Sequence, residues 1–366
     1  MAKNAYVSVD GIARKIKDGY IGINNVARRL TKIYIGVGGV ARPCWSERKR
    51  ELIYYGTITP LSVARSMLAA TRVGGYALFS GGRSSGDNCY STVDAYDKLL
   101  TRTTATGLSA ARRTLVATSV GDHALFGGGV LTGGASGATV DAYDKSLTRT
   151  TPTPLGYARY NLAATSIGDY ALFGGGEGSV RYAVDAYDKS LTKRTSHFNP
   201  LSVGRDELAA TAIGDYALFG GGYNGSTKDT VDAYNKSLTR TTPTALSTSR
   251  RGLSATSVGD YALFGGGRAS SVVDAYDKSL TRTTPTPLSL ARYGMAATNV
   301  GGYYALFGGN GTISGSNVVD VYDKSLTLTI KTLSVAKGYL AAASVGNYVL
   351  FGGGSSDAVV DAYIVA

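Results

Sequence analysis

The stretch "GDYALFGGG" occupies residues 168–176, and the same nine residues recur at 214–222 and 259–267. A variant with one substitution, "GDHALFGGG", occupies residues 121–129. If the Phe of each related core is taken as a marker, successive markers lie 47, 47, 46, 45, 43 and 44 residues apart. The markers are Phe79, Phe126, Phe173, Phe219, Phe264, Phe307 and Phe351. The chain of 366 residues therefore contains seven copies of one unit.

Each unit contains four short apolar runs that are separated by Gly, Asp and Ser turns. In residues 291–330 the runs are "MAATNV", "YYALF", "VVDVY" and "SLTLTI". They have the length of strands and show no helical period. A four-stranded sheet of this size cannot bury both of its faces, so neighbouring units must stack on one another. We predict an all-β fold, a seven-bladed β-propeller, over residues 52–366.

The two ends of this region predict how the propeller closes. The last unit stops at "VVDAYIVA", after its third run. Residues 52–65, "LIYYGTITPLSVAR", align with "LTRTTPTPLSLAR" at 280–292, which contains the fourth run of another unit. We therefore expect a strand at 52–59 to complete the last blade.

The order of features within each unit resembles the Kelch repeat. An Arg precedes a strand of small residues, an aromatic-apolar-Phe-Gly-Gly core follows, and Val-Asp-Ala-Tyr-Asp comes next. The resemblance covers residues 52–366 and implies a Kelch-type propeller. One departure is that Kelch units usually place a Trp on the fourth strand, where this chain has Thr or Arg in "LTRTT".

Residues 1–46 form a second, smaller repeat. Tyr6, Tyr20 and Tyr34 head three units of fourteen residues, each with a two-residue hairpin signal such as Asp10-Gly11. We predict a basic β-meander here, and a linker at 47–51. The "YIGVGGVAR" units resemble short repeats of tail-associated structural proteins in phages and prophages of Gram-positive bacteria. That resemblance implies attachment to other tail or baseplate proteins through residues 1–46.

Composition excludes several classes of protein. Two cysteines cannot form a disulfide framework or a four-thiolate zinc site. No stretch is long and apolar enough to span a membrane, and the start of the chain lacks the apolar segment of a signal peptide. We expect synthesis in a bacterial cytoplasm. The net charge of +12 comes mostly from residues 1–50, but these cations alternate along predicted hairpins, which disfavours nucleic acid as a partner.

Variation between the units points to one face of the propeller. The turns after the first and third strands barely change, whereas the loops that follow the Gly runs differ in length and content. We call the face that carries these variable loops the loop face. Variation on a fixed scaffold is typical of a recognition surface, although unconstrained loops would also vary. The aromatic and cationic candidates for stacking on sugar rings are Arg83, Tyr90, Arg181, Tyr182, Tyr223 and Arg268.

One cation precedes the inner strand of every unit. These residues are Arg65, Arg112, Arg159, Arg205, Arg250, Arg292 and Lys337. Sevenfold symmetry would arrange them in a ring that attracts an anionic ligand, such as a sugar acid or a teichoic-type phosphate polymer. The alternative is pairing with the Asp at the start of each third strand, namely Asp94, Asp141, Asp185, Asp232, Asp274, Asp320 and Asp361.

An enzyme is the least supported class. His123 and His197 are the only histidines and belong to separate units, so a copper site on a propeller lacks its ligands. The Gly runs lead into strands and not helices, which removes the dipole of a phosphate-binding loop. We predict no catalytic residue, no metal site and no cofactor.

Two functions remain at this point. The first is a virion tail component that presents its loop face to a host-surface glycan or protein, or to a neighbouring structural protein. The second is an intracellular Kelch-type adaptor for protein-protein interaction. The repeats in residues 1–46 favour the first, and a homo-oligomer is compatible with either.

Overall fold

The computed structural model describes residues 50–366 apart from 87, 195–198, 313 and 356. Before residue 50 it describes the backbone of 6–9, 12–15, 19–23, 26–30, 32–37 and 40–46. The chain divides into two compact units, Met1–Glu51 and Leu52–Ala366.

The first unit consists of three β-hairpins. Its strands are β1 (Tyr6–Val9), β2 (Ile12–Lys15), β3 (Gly19–Ile23), β4 (Val26–Leu30), β5 (Lys32–Val37) and β6 (Val40–Ser46). Tyr6 pairs with Lys15 and Tyr20 with Arg29, so the first two hairpins have the same register. Within the described backbone each strand pairs with its neighbour across its own turn.

The second unit consists of seven antiparallel blades of similar strand order. Its first strand is β7 (Leu52–Ile58). Blade 1 contains β8 (Ala69–Val73), β9 (Tyr76–Ser80), β10 (Val93–Tyr96) and β11 (Arg102–Ala105). Blade 2 follows, with β12 (Arg112–Arg113), β13 (Val116–Val120), β14 (His123–Gly127), β15 (Val130–Leu131), β16 (Val140–Tyr143) and β17 (Arg149–Thr150). Blade 3 has β18 (Ala163–Ile167), β19 (Tyr170–Gly174) and β20 (Val184–Asp188).

The remaining blades follow the same plan. Blade 4 contains β21 (Ala209–Ile213), β22 (Tyr216–Gly220), β23 (Val231–Asn235) and β24 (Arg240–Thr241). Blade 5 contains β25 (Ser254–Val258), β26 (Tyr261–Gly265), β27 (Val273–Asp277) and β28 (Arg282–Thr283). Blade 6 contains β29 (Ala296–Val300), β30 (Tyr304–Gly308), β31 (Ser316–Asp323) and β32 (Leu328–Lys337). Blade 7 contains β33 (Ala341–Val345), β34 (Tyr348–Gly352) and β35 (Val360–Val365).

The innermost strands form a closed circle around the propeller axis. Each of them contacts the innermost strand of the next blade, and β33 of the last blade contacts β8 of the first. The predicted all-β propeller of seven blades is confirmed. Alternate residues of these strands are buried, which explains why small residues recur where seven strands converge.

The recurring Phe and Tyr build the core between blades. Phe126 meets the ring of Tyr143 edge to face, with centroids 5.9 Å apart, and every blade contains an equivalent pair. The next Phe packs against the Gly that ends the second strand. A Cβ added to Gly127 would lie 2.7 Å from the ring of Phe173, so a side chain there would displace the neighbouring blade. Six blades have Gly at this place, and blade 1 has the small, buried Ser80.

The outermost strands vary in length because of proline. In blades 2, 4 and 5 they are two residues long and end just before Pro152, Pro243 and Pro285. Proline cannot donate a ladder hydrogen bond, which stops the strand. Blade 6 has no Pro at this place, and its outer strand extends over ten residues.

Blade 7 is completed from the start of the second unit. Strand β7 pairs antiparallel with β35, from Val360 opposite Ile58 to Val365 opposite Leu52. The register shifts between Ala362 and Tyr363, which places a bulge in the ladder. The first and last strands of this unit are therefore hydrogen-bonded neighbours.

Candidate functional site

The seven cations that precede the inner strands lie inside the blades. Their side chains are at most 3% exposed, and each faces the Asp of the third strand in the blade whose inner strand it precedes. The nitrogen-to-oxygen distances are 2.8 Å for Arg65–Asp94 and Arg112–Asp141, 2.9 Å for Arg205–Asp232 and 3.5 Å for Lys337–Asp361. The pairs Arg159–Asp185, Arg250–Asp274 and Arg292–Asp320 are also in direct contact.

Burial determines the electrostatics of these pairs. It lowers the pKa of the six guanidinium groups and of Lys337, while the facing carboxylates oppose that shift. The pairing that the sequence left open as an alternative is thus the observed geometry. The seven cations hold their own blades together, and ligand binding by them stays a prediction to which this closed arrangement gives no support.

Each of these carboxylates also anchors the loop that enters its blade. Asp232 shows the arrangement: Oδ2 faces Arg205, and Oδ1 accepts hydrogen bonds from Arg240 Nη1 at 2.9 Å and from the Ser202 N–H at 3.1 Å. Two cations and a backbone donor around this carboxylate offset much of the cost of burying its charge. The polar interior of the blade therefore serves to position the loop face.

A circle of seven residues surrounds the axis on the loop face, and described backbone hydrogen bonds join five of its seven neighbouring pairs. Its members, which we call the mouth circle, are Met67, Thr114, Asn161, Glu207, Gly252, Gly294 and Tyr339. All have φ between 49° and 64°, a left-handed conformation that is uncommon for residues other than Gly. The described links from N–H to carbonyl are Met67 to Tyr339, Thr114 to Met67, Glu207 to Asn161, Gly252 to Glu207 and Gly294 to Gly252, at 2.7–3.0 Å.

Short pairings bring the variable loops to this circle. In six blades the residue that follows the Gly run pairs with the residue just before a mouth-circle member. The pairs are Ser66 with Arg83, Arg113 with Val130, Tyr160 with Glu177, Asp206 with Tyr223, Arg251 with Arg268 and Gly338 with Ser355. The predicted residues Arg83, Tyr223 and Arg268 are thereby placed beside the axis, on three different blades.

An ion-paired cluster spans blades 3 and 4. Arg181 Nη1 donates to Asp206 Oδ2 at 2.8 Å, and Nη2 lies 4.0 Å from Glu177 Oε1. Burial raises the pKa of Asp206 to about 6, although the nearby Arg181 opposes this shift. Burial and a hydrogen bond with Glu177 raise the pKa of Tyr160. The cluster ties the variable loop of blade 3 to the entry of blade 4.

Aromatic rings and arginines continue around the mouth circle. The Arg251 guanidinium lies 4.1 Å from the centroid of the Tyr223 ring, and its Nε is 3.7 Å from Glu207 Oε2. In the next blade Arg268 lies 5.1 Å from the centroid of the Tyr293 ring. Desolvation, together with the neighbouring Tyr293, raises the pKa of Tyr339.

Two of the predicted residues lie away from the mouth circle. Tyr182 is exposed, and its carbonyl accepts the N–H of Leu201 at 2.9 Å. Tyr90 is half-buried, and its carbonyl accepts the N–H of Arg112 at 3.2 Å. Both residues therefore help to connect a variable loop to the chain that enters the next blade.

Sequence reasoning missed several residues at the mouth. They include Arg113, Tyr160, Asp206, Glu207, Arg251, Tyr293 and Tyr339. The sequence contained a signal for these residues. The residue after each buried cation varies between units, whereas Leu or Met recurs three residues after the cation. The same comparison that singled out the loops would have found it.

Two negative findings apply to the described part of the chain. It holds no group of three or more His, Cys, Asp or Glu side chains that could bind a metal ion. It also contains no helix with the length and apolarity that a membrane crossing requires. His197 lies outside the described residues.

Comparison with known proteins supports the fold alone. No family model and no curated protein sequence matches the chain. Similar folds are numerous among solved structures. The structure of YjhT, for example, has a TM-score of 0.60 and 12% identity over 75% of this chain and 99% of that chain. At this identity the likeness is to the architecture alone.

Proposed function

We propose that this chain is a non-enzymatic recognition protein of a phage tail or baseplate. In this proposal the hairpins of Met1–Glu51 attach to other tail proteins, and the propeller binds a host-surface glycan or protein, or a neighbouring structural protein, through its loop face. The observation that supports the proposal is a contrast between the scaffold positions of the repeat and its positions at the mouth. Scaffold positions recur from blade to blade, whereas the residues around the mouth circle vary between blades.

The chemistry of the mouth also suits recognition. Arg, Tyr and carboxylate side chains from blades 3 to 7 lie around one axis, held by ion pairs and cation–π contacts. Such side chains can form hydrogen bonds and aromatic contacts with a polar ligand without taking part in a reaction. The assignment to a tail rests on the repeated hairpins and their resemblance to phage sequences.

The first experiment is to locate the protein. Particles released from a host that carries the gene would be purified and tested by mass spectrometry and by immunogold labelling against the propeller. We expect the chain in the particles, with label at the tail. Its absence from particles, together with recovery from host lysate in a stable complex with a cellular protein, would contradict the proposal and favour the intracellular adaptor.

The second experiment tests attachment. Fluorescently labelled full-length protein would be incubated with host cells, and bound fluorescence would be compared with that of a variant in which Arg251 and Arg268 are replaced by Ala. A matched control replaces the exposed Arg72 of blade 1. We expect binding to fall only in the first variant. Equal binding by both variants would show that the mouth does not recognise the host.

A further inference from the structure

Arg268 differs from the other arginines that surround the mouth circle. Arg181 contacts Asp206, and Arg251 contacts Glu207, so both are neutralised by carboxylates. Within the described residues Arg268 has no carboxylate within ion-pair distance, and its side chain is exposed. A hydrogen bond of 3.0 Å from its N–H to the Arg251 carbonyl fixes its backbone beside the axis. Its charge is therefore available to a ligand.

Two tyrosines lie next to this charge. The Arg268 guanidinium is 5.1 Å from the ring centroid of Tyr293, and Tyr293 is close enough to Tyr339 of the following blade to help raise the pKa of its hydroxyl. Tyr339 has φ of 57° in the mouth circle, where the two preceding blades have Gly252 and Gly294. A bulky residue in this conformation is an outlier, and such strain is retained where a side chain is needed in a particular place.

A second cation lies on the opposite side of the tyrosine pair. The Met67 N–H donates to the Tyr339 carbonyl at 2.8 Å, and the adjacent Ser66 pairs with Arg83. Arg83 and Arg268 both interact electrostatically with the hydroxyl of Tyr339. Guanidinium and phenol groups at neighbouring positions of the mouth can together donate hydrogen bonds to an oxyanion, and Arg268 supplies the positive charge.

We propose that the propeller mouth binds the carboxylate or phosphate group of an anionic sugar, through Arg268, Tyr293, Tyr339 and Arg83. The inference rests on the proposed recognition function and names its ligand class. The Tyr223 ring and the Arg251–Glu207 pair lie alongside, where an apolar ring face and polar groups suit the C–H and hydroxyl groups of a sugar. The bound anion replaces the carboxylate partner that Arg268 lacks within the described chain.

Titration of the full-length protein tests this site. Isothermal titration calorimetry would compare glucuronate and glucose 6-phosphate, which carry a carboxylate and a phosphate, with glucose, which carries neither. We expect at least one of the anionic sugars to bind about tenfold or more tightly than glucose, with affinity that falls as salt is added. Equal affinity for glucose would overturn the proposal, as would tight binding of a phosphopeptide with no binding of either sugar.

Substitutions test which residues bind the anionic sugar. We expect Arg268→Ala to weaken binding about tenfold, Arg268→Lys to weaken it less, and Tyr293→Phe to weaken it severalfold while keeping the ring in place. Arg72→Ala, which removes an exposed charge elsewhere, is the control and should bind as the unchanged protein does. Thermal unfolding would verify that all variants fold. If Arg268→Ala binds like the control, the assignment is wrong.

The outcomes separate this inference from the proposed function. A protein that is found in particles and attaches to host cells, but shows no preference for anionic sugars, would overturn only the ligand assignment. A protein that binds these sugars but is absent from particles would retain the site and contradict its place in a tail.

Discussion

The buried Asp of each third strand has a different energetic role from the Asp on the opposite face of the same blade. In blade 4, Asp232 and its partner Arg205 are both fully buried. Asp215 forms an ion pair with Lys236 at 2.6 Å, but these side chains are 70% and 60% exposed. Removing one member of a buried pair leaves an uncompensated charge, whereas an exposed pair contributes little.

The substitution Asp232→Ala should therefore lower the free energy of unfolding by about 3–5 kcal/mol. Asp215→Ala, in the same blade, should change it by less than about 1 kcal/mol. Denaturant unfolding of both variants measures the difference. Equal losses would show that the buried pair does not hold the blade together.

Asp206 should make stability depend on pH. Its pKa is raised to about 6 in the folded protein, so the folded state holds its proton more tightly than the unfolded state does. The resulting contribution to stability is fully present below the unfolded pKa of about 4 and is lost as the pH rises through about 6. Asp206→Asn cannot titrate and should gain stability relative to the unchanged protein between pH 4 and pH 7, by up to about 3 kcal/mol. Denaturant unfolding at both pH values checks this, and parallel pH profiles would refute it.

Short recurring sequence segments specify the strands of this protein, and single residues specify where the strands end. The period of the Phe cores and the alternation of apolar runs predicted which segments become the inner three strands of each blade. The length of the outer strand could not be predicted from the apolar pattern alone. It depends on where Pro152 and its equivalents remove a hydrogen-bond donor.

At the scale of the strand, Gly127 should be intolerant of a side chain. Because a Cβ would lie 2.7 Å from the ring of Phe173, Gly127→Ala should cost about 1–3 kcal/mol through overpacking. Gly86 is the control, because a Cβ added there would meet only the Ser84 hydroxyl at 3.9 Å. Gly86→Ala should therefore change stability by less than about 0.5 kcal/mol. Comparison of thermal unfolding decides the matter; a neutral Gly127→Ala would mean that the blades separate easily.

The whole molecule depends on the strand that closes the ring. Leu52 of β7 is 3% exposed and belongs to the core shared by blades 6 and 7, whereas the adjacent Ile53 is 43% exposed. Leu52→Ala should lower the free energy of unfolding by about 2–5 kcal/mol, and Ile53→Ala by less than about 1 kcal/mol. Chemical denaturation followed by tyrosine fluorescence would show this. Similar small losses in both variants would imply that the ring is stable without the closing strand.

The closed ring also explains which parts of the site were predictable. Each repeat contains its own ion pair, so the partners Arg65 and Asp94 could be proposed from one unit. The hydrogen bonds of the mouth circle could not, because they join residues such as Glu207, Gly252 and Gly294 that belong to different repeats and meet only after the blades pack together. The contacts of Arg268 with Tyr293 are of this second kind.

Because Leu52 pairs with Val365, the fold of the propeller does not depend on which blade comes first along the chain. A short peptide bridging these two positions, with new ends cut into an exposed turn such as Lys278–Ser279, gives a circular permutant in which every ladder is retained. Such a rearranged polypeptide should refold to the same toroid and keep its ligand preference. Sensors or cargo could then be fused at any chosen point on its circumference.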